Sequence, residues 1–287
     1  MRIPELISIL ERYAPLEAAA SWDVSGLQVA SLAEEAACVA VTLEPDPEIL
    51  RIAAEAGADF IVSHHPLSMQ PRFPNRKDAY LEVLSLLLAR GISLYSAHTS
   101  LDANTKGPAW FLVSELDLQD VEVLDPTQDC LDGAPVFGFG FCGSLRRAAP
   151  CAEFYGALRA LLGRDVLQVC GTAPERVSRV ACCPGSGSSL IPTAAAKGAD
   201  VFITGDVRYH SALEAAELGL CVFDVGHFIL EEMMMSRFAD LLAHALPVPV
   251  RFFPGRDPFV PGTAMPRNSA TAKMNYQGLE EDFESLS

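Results

Sequence analysis

The sequence predicts an α/β fold with two pseudo-repeated lobes, each with a mostly parallel sheet flanked by helices. The first observation behind this prediction is a faint internal repeat, in which residues 57–63 (GADFIVS) are echoed by residues 198–204 (GADVFIT). The second is that strand-like and helix-like segments alternate around both copies. Such alternation is typical of parallel strands joined by right-handed helical crossovers.

The first lobe is predicted to run strand, helix, strand, helix, strand. Asp46 can cap the first helix, Pro47 suits its first position and Glu48 its first turn. Apolar, β-rich runs bounded by glycine predict the strands. The predicted strands are residues 37–43, 57–63 and 91–97, and the second helix is residues 77–90.

The second lobe repeats this order, with a Gly/Ser loop at its first connection. Its predicted elements are strands 177–182, 198–204 and 219–225, loop 184–189 and helix 209–218. Between the lobes we expect strand 138–145, helix 149–162 and strand 166–171. We assign both lobes to one domain, residues 1–262, with the repeat spanning about 37–102 and 177–231. Residues 263–287 are polar and acidic without periodicity, which predicts a disordered tail.

The composition excludes several classes of protein. With 21 Lys and Arg against 37 Asp and Glu, the 287-residue chain has a net charge of −16, which argues against duplex nucleic acid as a partner. No apolar run is long enough to span a membrane, and the amphipathic start at residues 1–13 does not resemble a signal peptide, so we expect a cytoplasmic protein. The eight cysteines form no Cys-x-x-Cys pair and are interpreted as reduced core residues.

Histidines mark the ends of the predicted strands. Five of the six follow a strand, and the carboxyl ends of parallel strands are where ligands bind in open α/β sheets. These five are His64, His65, His98, His210 and His227.

Two strands end in the same pattern, a histidine followed four residues later by a carboxylate. The pairs are His98 with Asp102 and His227 with Glu231, and each pair shares one face if a helix begins there. A single such pair is typical of a surface, but its repetition at equivalent places favours a metal site. His64 and His65 could serve two ions or, from a bend, one; the alternative is one buried and one solvated ring.

A site with several imidazoles and carboxylates but no thiolate suits two borderline divalent ions. Zn, Fe, Mn, Co and Ni all accept such ligands, and the sequence does not choose among them. Two ions would also acidify a water molecule between them, which could then act as a nucleophile.

Five segments together closely resemble the Nif-three-like dinuclear metal centre proteins, the GTP cyclohydrolase I type 2 homologue family. They are residues 21–29 (SWDVSGLQV), 63–66 (SHHP), 97–102 (AHTSLD), 204–206 (TGD) and 226–231 (GHFILE). The resemblance covers about residues 1–260. It implies a two-lobed α/β subunit, a toroidal homohexamer and a dinuclear metal site facing the interior.

Position by position, the resemblance implies a specific set of site residues. The implied metal ligands are His64, His65, Asp102, His227 and Glu231. His98 matches a histidine beside the site, as an outer-sphere residue or an occasional ligand. With Asp23 it forms our candidate catalytic pair, although Asp23 could equally cap the turn before Gly26. The sequence departs from the family pattern at Val24 and Ser100, where Asn is usual, which leaves substrate contacts open.

Other motifs favour structural interpretations. The loop at residues 185–189 could cradle a phosphate on backbone N–H groups, but it lacks a P-loop lysine and a tight turn is the stronger interpretation. The three methionines at 233–235 are predicted to pack in the core or an interface. His210 is interpreted as structural and His244 as a surface residue.

Three functions fit these observations. We favour a metal-dependent hydrolase that uses a metal-activated water on a phosphate- or nucleotide-type small molecule. The alternatives are a non-catalytic metal-storage or metal-delivery protein and a regulatory scaffold. The hydrolase is favoured because a mixed site with open water positions is more typical of catalysis than of storage. Half of the residues are hydrophobic, which leaves apolar surface for an oligomer interface.

Overall fold

Two β-sheets flanked by helices make up this computed structural model, which describes residues 1–127, 137–163 and 168–259. The strands are β1 (Gly26–Val29), β2 (Val39–Thr42), β3 (Phe60–Ser63), β4 (Ser93–Ser96), β5 (Gln119–Pro126), β6 (Gly138–Pro150), β7 (Gln168–Cys170), β8 (Arg176–Cys182), β9 (Val201–Thr204), β10 (Cys221–Asp224) and β11 (Val250–Phe252). The α-helices are α1 (Ile3–Tyr13), α2 (Pro47–Glu55), α3 (Ala79–Arg90), α4 (Thr99–Asp102), α5 (Phe111–Glu115), α6 (Cys151–Leu162), α7 (Ile191–Ala196), α8 (Tyr209–Glu217) and α9 (His227–Ala245). Short 3₁₀ turns cover Leu16–Ala18, Pro108–Trp110 and Ser188–Leu190.

The first sheet has the order β1-β4-β3-β2-β11 and is parallel except for β1. Strands β2, β3 and β4 are buried along their whole length, as expected for a parallel sheet covered on both faces. One face carries Val41 and Val62 against α1 and α9. The other carries Ala40 and Ile61 against α2 and α3.

The second sheet has the order β5-β6-β8-β9-β10-β7 and is mixed. The three strands that correspond to the repeat, β8, β9 and β10, are parallel to one another, like β2, β3 and β4. The strands outside the repeat, β5, β6 and β7, pair antiparallel. The α/β class is confirmed, and the antiparallel strands are additions at the two sides of the predicted parallel unit.

Local capping signals set the starts of α2 and α3. The Asp46 carboxylate accepts hydrogen bonds from the backbone N–H groups of Glu48 and Ile49 at 2.9 and 3.2 Å, which caps α2. Helix α3 begins two residues later than predicted because Asp78 caps it, and it ends at Gly91 with φ of 65°. Met234 and Met235 are fully buried in the core of the first lobe.

Some predictions fall partly or wholly outside the described residues. The predicted tail at 263–287 and Cys130 lie outside them, as do residues 166–167 of the last inter-lobe strand. The other seven cysteines are free thiols, either buried or half-buried. Within the described ranges, none of the helices has the length and apolar character needed to cross a membrane.

Candidate metal centre

Four histidines lie side by side where the strands of the two sheets end. His64 and His65 directly follow β3, His98 precedes α4 after β4, and His227 begins α9 after β10. Neighbouring rings have centroids 5.0 to 5.4 Å apart. The end of each parallel unit therefore contributes to one cluster, which is the arrangement predicted from the repeat.

Each of these histidines has its Nδ1 atom next to an oxygen acceptor. The four Nδ1 contacts are His64 with the Ala97 carbonyl at 2.8 Å, His65 with Glu44 at 2.6 Å, His98 with Asp23 at 2.7 Å and His227 with Asp206 at 2.7 Å. A carbonyl or an ionised carboxylate can only accept, so Nδ1 carries the proton and donates it. The Nε2 atom of each neutral ring is then free to bind a metal. The hydrogen bond at Nδ1 fixes the orientation of the ring.

Two carboxylates face these Nε2 atoms. Glu231 follows His227 by one helical turn, and its Oε2 atom lies 3.0 Å from Nε2 of His227 and 3.3 Å from Nε2 of His65. The Nε2 atom of His64 lies 3.6 Å from Oε1 of Glu231 and 3.7 Å from Oδ1 of Asp102. The buried His64 ring is thus placed between two carboxylates that come from different lobes.

The chemistry of this donor set fits a divalent metal ion. With neutral rings, whose Nε2 atoms carry no proton, three of its buried atoms have no hydrogen-bond partner among the described residues: Nε2 of His64, Oδ1 of Asp102 and Oε2 of Glu231. Neutral imidazole lone pairs that converge on carboxylate oxygens repel them unless a cation lies between. Ligand atoms within 4.8 Å of one another form two groups that share His65, namely His64, His65 and His98, and His65, His227 and Glu231.

When no metal is bound, protonated histidines balance the negative charge of the carboxylates. Burial lowers the pKa of His65, but hydrogen bonds to Glu231 and Glu44 outweigh it and raise that pKa to about 10. The hydrogen bond to Glu231 is the main cause that raises the pKa of His227 to about 9. The fully buried His64 also has a raised pKa, because the charges of Asp102 and Glu231 outweigh its burial.

The site shifts the pKa values of the two carboxyl groups in opposite directions. Burial opposes the ionisation of Glu231, but the positive charge and hydrogen bonds of His64, His227 and His65 hold its pKa well below the ordinary range. Burial raises the pKa of Asp102, and the negative charge of Glu231 raises it further. Asp102 is therefore the carboxyl that takes up a proton first as the pH falls.

Asp23 is held as a rigid anion behind His98. Its side chain is fully buried and accepts hydrogen bonds from the hydroxyls of Ser25 and Thr99 at 2.6 and 2.5 Å and from the Thr99 N–H at 3.1 Å. Burial opposes its charge, but the hydrogen bonds from His98, Ser25 and Thr99 outweigh it and hold the pKa of Asp23 far below the ordinary range. It also accepts a hydrogen bond from the Val24 N–H at 2.7 Å, which stabilises the turn before Gly26. The catalytic role of Asp23 stays a prediction.

A cavity of about 340 Å³ opens beside the cluster. His98, Asp102, His227 and Glu231 lie in its wall with residues of both lobes. Further lining residues include Trp22, Trp110, Asp125, Phe139, Ser186, Gly187 and Ser189. The indole of Trp22 is 62% exposed and meets the His98 ring edge-on at 5.8 Å. A small molecule in this cavity would contact the predicted site residues directly.

The Gly/Ser loop has a steric role at this site. Gly185 has φ of 69°, and a Cβ atom built there would overlap Oε1 of Glu231. Glycine is required because the loop backbone passes directly over the carboxylate. The loop is a tight turn that also lines the cavity through Ser186, Gly187 and Ser189.

Sequence reasoning assigned no role at the site to three residues, although Asp206 lies in the segment 204–206 and Gly185 in the loop 185–189. Glu44 and Asp206 orient His65 and His227, and Gly185 makes room for Glu231. Asp206 could have been found, because it follows β9 as His64 and His65 follow the equivalent strand β3. His210 and His244 lie outside the cluster: His210 is exposed and packs on Tyr209, and Nδ1 of His244 contacts a backbone carbonyl of its own helix.

Known proteins are similar in sequence to this chain over most of its length. A family model described as Duf34/NIF3 (NGG1p interacting factor 3) matches residues 1–258. The GTP cyclohydrolase 1 type 2 homolog of Lactococcus lactis is 32% identical over 246 residues, which cover 84% of this chain and 91% of that protein. The protein of the same name from Methanocaldococcus jannaschii is 31% identical over 249 residues, covering 86% and 96%.

Solved structures share the fold. The crystal structure of a Bacillus cereus protein related to NIF3 matches with a TM-score of 0.82 at 24% identity, over 91% of this chain and 99% of that one. Reduced HcgD from Methanocaldococcus jannaschii matches with a TM-score of 0.75 at 28% identity, over 88% and 98%. With the family model spanning both lobes, the chain belongs to the Duf34/NIF3 (NGG1p interacting factor 3) family.

Proposed function

We propose that this protein is a metal-dependent hydrolase with two divalent ions at the cluster beside the cavity. The observation that carries the proposal is the set of Nε2 atoms fixed from behind by hydrogen-bonded Nδ1 atoms, next to a cavity of about 340 Å³. The proposed ligands are His64, His65, Asp102, His227 and Glu231. His98 completes one of the two three-residue groups and is proposed as an additional or alternating ligand.

Bound divalent ions would supply Lewis-acid polarisation of a substrate oxygen and a water acidified for attack near neutral pH. The protein's own contribution is orientation. Asp23 holds His98 at the cavity wall, and Asp206 holds His227. Such outer-sphere carboxylates fix the tautomer of a ligand histidine and increase its basicity.

In this proposal, the residues that line the cavity position the substrate. The Asp102 side chain is 22% exposed, and the neutral residues Ser186 and Ser189 also line the cavity. A phosphoester or another hydrolysable small molecule fits the space. The phosphate- or nucleotide-type substrate expected from the sequence therefore remains within the proposal, and its charge is considered below.

Metal storage or delivery is the second candidate function. One observation favours it: the His227 side chain is 32% exposed, so this side of the cluster is open to exchange with solvent. A storage site would exchange its ion readily with a chelator and turn over no substrate. The two functions therefore differ in measurable behaviour.

We also propose that the subunits assemble as a homohexamer in the cytoplasm. The family resemblance supports the hexamer, and exposed apolar side chains on α8, Tyr209 and Leu213, supply surface that an interface could bury. The free thiols of the described cysteines support a reducing compartment. Light scattering tests the assembly, and a monomer at micromolar concentration would overturn it.

A hydrolase screen with metal analysis tests the enzymatic proposal. Protein loaded with Mn, Zn, Fe, Co or Ni is assayed on phosphomonoesters, phosphodiesters, nucleotides and esters, beside Asp102→Asn and the surface control His244→Ala. We expect turnover that survives in His244→Ala and is lost in Asp102→Asn with the fold intact. Turnover unchanged in Asp102→Asn would overturn the assignment. Absent turnover with ready metal transfer to a chelator would favour delivery.

A further inference from the structure

We propose that the cavity selects a substrate with at most one negative charge and an apolar portion, and that it rejects polyphosphates such as nucleoside triphosphates. The inference rests on the proposed function and narrows its substrate class. It is carried by the distribution of charge around the cavity and by the aromatic side chains in its wall.

Apart from its histidines, the charged side chains that line the cavity are carboxylates. Asp102, Asp125 and Glu231 lie in its wall, and none of its described lining residues is Lys or Arg. Proteins that bind phosphate groups tightly use these cations, often with bidentate arginine contacts. A polyphosphate in this cavity would find no side-chain cation of that kind among the described residues.

A second set of carboxylates lies behind the histidines. Asp23, Glu44 and Asp206 each contact the Nδ1 atom of a cluster histidine. Together with Asp102 and Glu231 they make five carboxylates at the cluster. These five outnumber the four positive charges that two divalent ions would bring. A loaded centre would therefore not be strongly positive, and Asp125 adds another negative charge at the wall.

The rest of the wall is suited to an apolar group. Trp110 and Phe139 line the cavity, and Trp110 is held against Phe141 with ring centroids 5.1 Å apart. Leu190 and Ala109 add aliphatic surface. Rings favour contact with an apolar or planar part of a ligand over contact with a hydrated phosphate chain.

Asp125 is the residue through which this selection can be tested. It lies on β5 directly opposite Phe139 of β6, it is exposed, and it belongs to neither proposed three-residue metal group. Its charge can therefore be changed without removing a proposed ligand. Charge reversal at Asp125 should increase the affinity of the cavity for anions, whereas the metal content should stay the same.

The experiment compares probes of increasing charge on Mn-loaded protein at pH about 8. The probes are bis(4-nitrophenyl) phosphate, 4-nitrophenyl phosphate and GTP, whose phosphate groups carry progressively more charge at this pH. Binding is measured by calorimetry, and bound metal is measured in the same samples so that chelation is detected. Asp125→Asn and Asp125→Lys are compared with Glu217→Lys, an equal charge reversal in the last turn of α8, outside the cavity lining.

We expect the diester to bind at least as tightly as the monoester, and GTP to bind most weakly or not at all. Asp125→Lys should strengthen binding of the monoester by about fivefold or make it detectable, Asp125→Asn by less, and Glu217→Lys should leave it unchanged. Tighter binding of GTP than of the diester to the unaltered protein would overturn the inference. So would an Asp125→Lys variant that folds and holds metal but gains no anion affinity.

This result is separable from the outcome for hydrolysis. Because binding is measured directly, the order of affinities can hold even if no probe is turned over, and only the proposed function then fails. Conversely, turnover of a nucleoside triphosphate with loss of activity in Asp102→Asn would support the hydrolase and overturn the charge selection.

Discussion

Oδ1 of Asp23 lies 2.7 Å from Nδ1 of His98, although the two residues are 75 positions apart in the chain. The segment that carries Asp23 precedes β1, and His98 follows β4, the strand with which β1 pairs. The antiparallel edge strand therefore brings an otherwise distant carboxylate behind a cluster histidine. This relationship places Asp23 as a positioning residue for His98.

Replacing Asp23 by Asn should separate the effect of orienting the His98 ring from the effect of the negative charge of Asp23. Asn keeps an oxygen acceptor for Nδ1 of His98 but removes the negative charge, so we expect activity or metal affinity to fall by roughly 10- to 100-fold. Turnover, metal content and thermal stability are measured together. Ser25→Ala is the comparison, because it removes one hydrogen bond to Asp23 and one from the His98 N–H but keeps the charge of Asp23. Full activity in Asp23→Asn would contradict the positioning role.

Metal binding should compete with protons on the cluster histidines. The pKa of His227 is raised to about 9 and that of His65 to about 10. Near neutral pH and without metal, both rings therefore carry a second proton, on Nε2, and are positively charged. A metal must displace these protons, and its apparent affinity should rise with pH up to about 9 to 10. Chelator competition across this range measures the affinity, and proton release on binding gives an independent check. An affinity that does not change with pH would argue against these histidines as ligands.

The same raised pKa values affect the stability of the metal-free protein. Their stabilising contribution is fully present below the ordinary histidine pKa of 6.5 and is lost as the pH rises through about 9 and then about 10. We therefore expect the metal-free protein to lose stability above neutral pH, as measured by denaturant unfolding. Metal-loaded protein should show a smaller loss, because the ion replaces the protons as the compensating charge.

The parallel strands and the cluster histidines could be predicted because local patterns specify them. Apolar β-rich runs predicted β2, β3, β4, β8, β9 and β10, and the spacing of His227 and Glu231 placed both on one face of α9. Of the antiparallel strands, β6 and β7 coincide with the predicted strands 138–145 and 166–171, whereas β1 and β5 were not predicted. Pairing between distant segments leaves no periodicity in either one.

The residues that orient the cluster could not be derived from spacing. Glu44 lies 21 positions from His65, and Asp206 lies 21 positions from His227. Only the three-dimensional arrangement of the strand ends brings each carboxylate to its histidine. The requirement for glycine at position 185 is likewise a tertiary effect, since it depends on where Glu231 lies.

Glu231 should be the ligand whose loss affects the cluster most. It contacts His64, His65 and His227, so Glu231→Gln removes a charge that all three rings face. We expect loss of at least one ion per subunit by elemental analysis. Glu217→Gln, an exposed change on α8, is the control and should retain all metal. Full metal content in Glu231→Gln and also in His64→Ala would contradict the ligand assignment.

Two glycine substitutions should separate backbone strain from damage to the site. Gly185 and Gly198 both have left-handed backbone, with φ of 69° and 73°, so alanine at either position is strained and should lower the free energy of unfolding by about 1 kcal/mol or more. Their surroundings differ: a Cβ atom at Gly198 meets nothing within 4 Å, whereas one at Gly185 overlaps the Glu231 carboxylate.

We therefore expect both variants to be destabilised by backbone strain, Gly185→Ala at least as much as Gly198→Ala, while only Gly185→Ala loses metal. Denaturant unfolding of the metal-free proteins measures the shared effect of backbone strain, and elemental analysis after metal loading measures the effect at the site. If Gly185→Ala and Gly198→Ala bound metal equally well, the close approach of the loop to Glu231 would have no role in shaping the centre. A selective loss in Gly185→Ala would show that the Gly/Ser loop sets the position of Glu231.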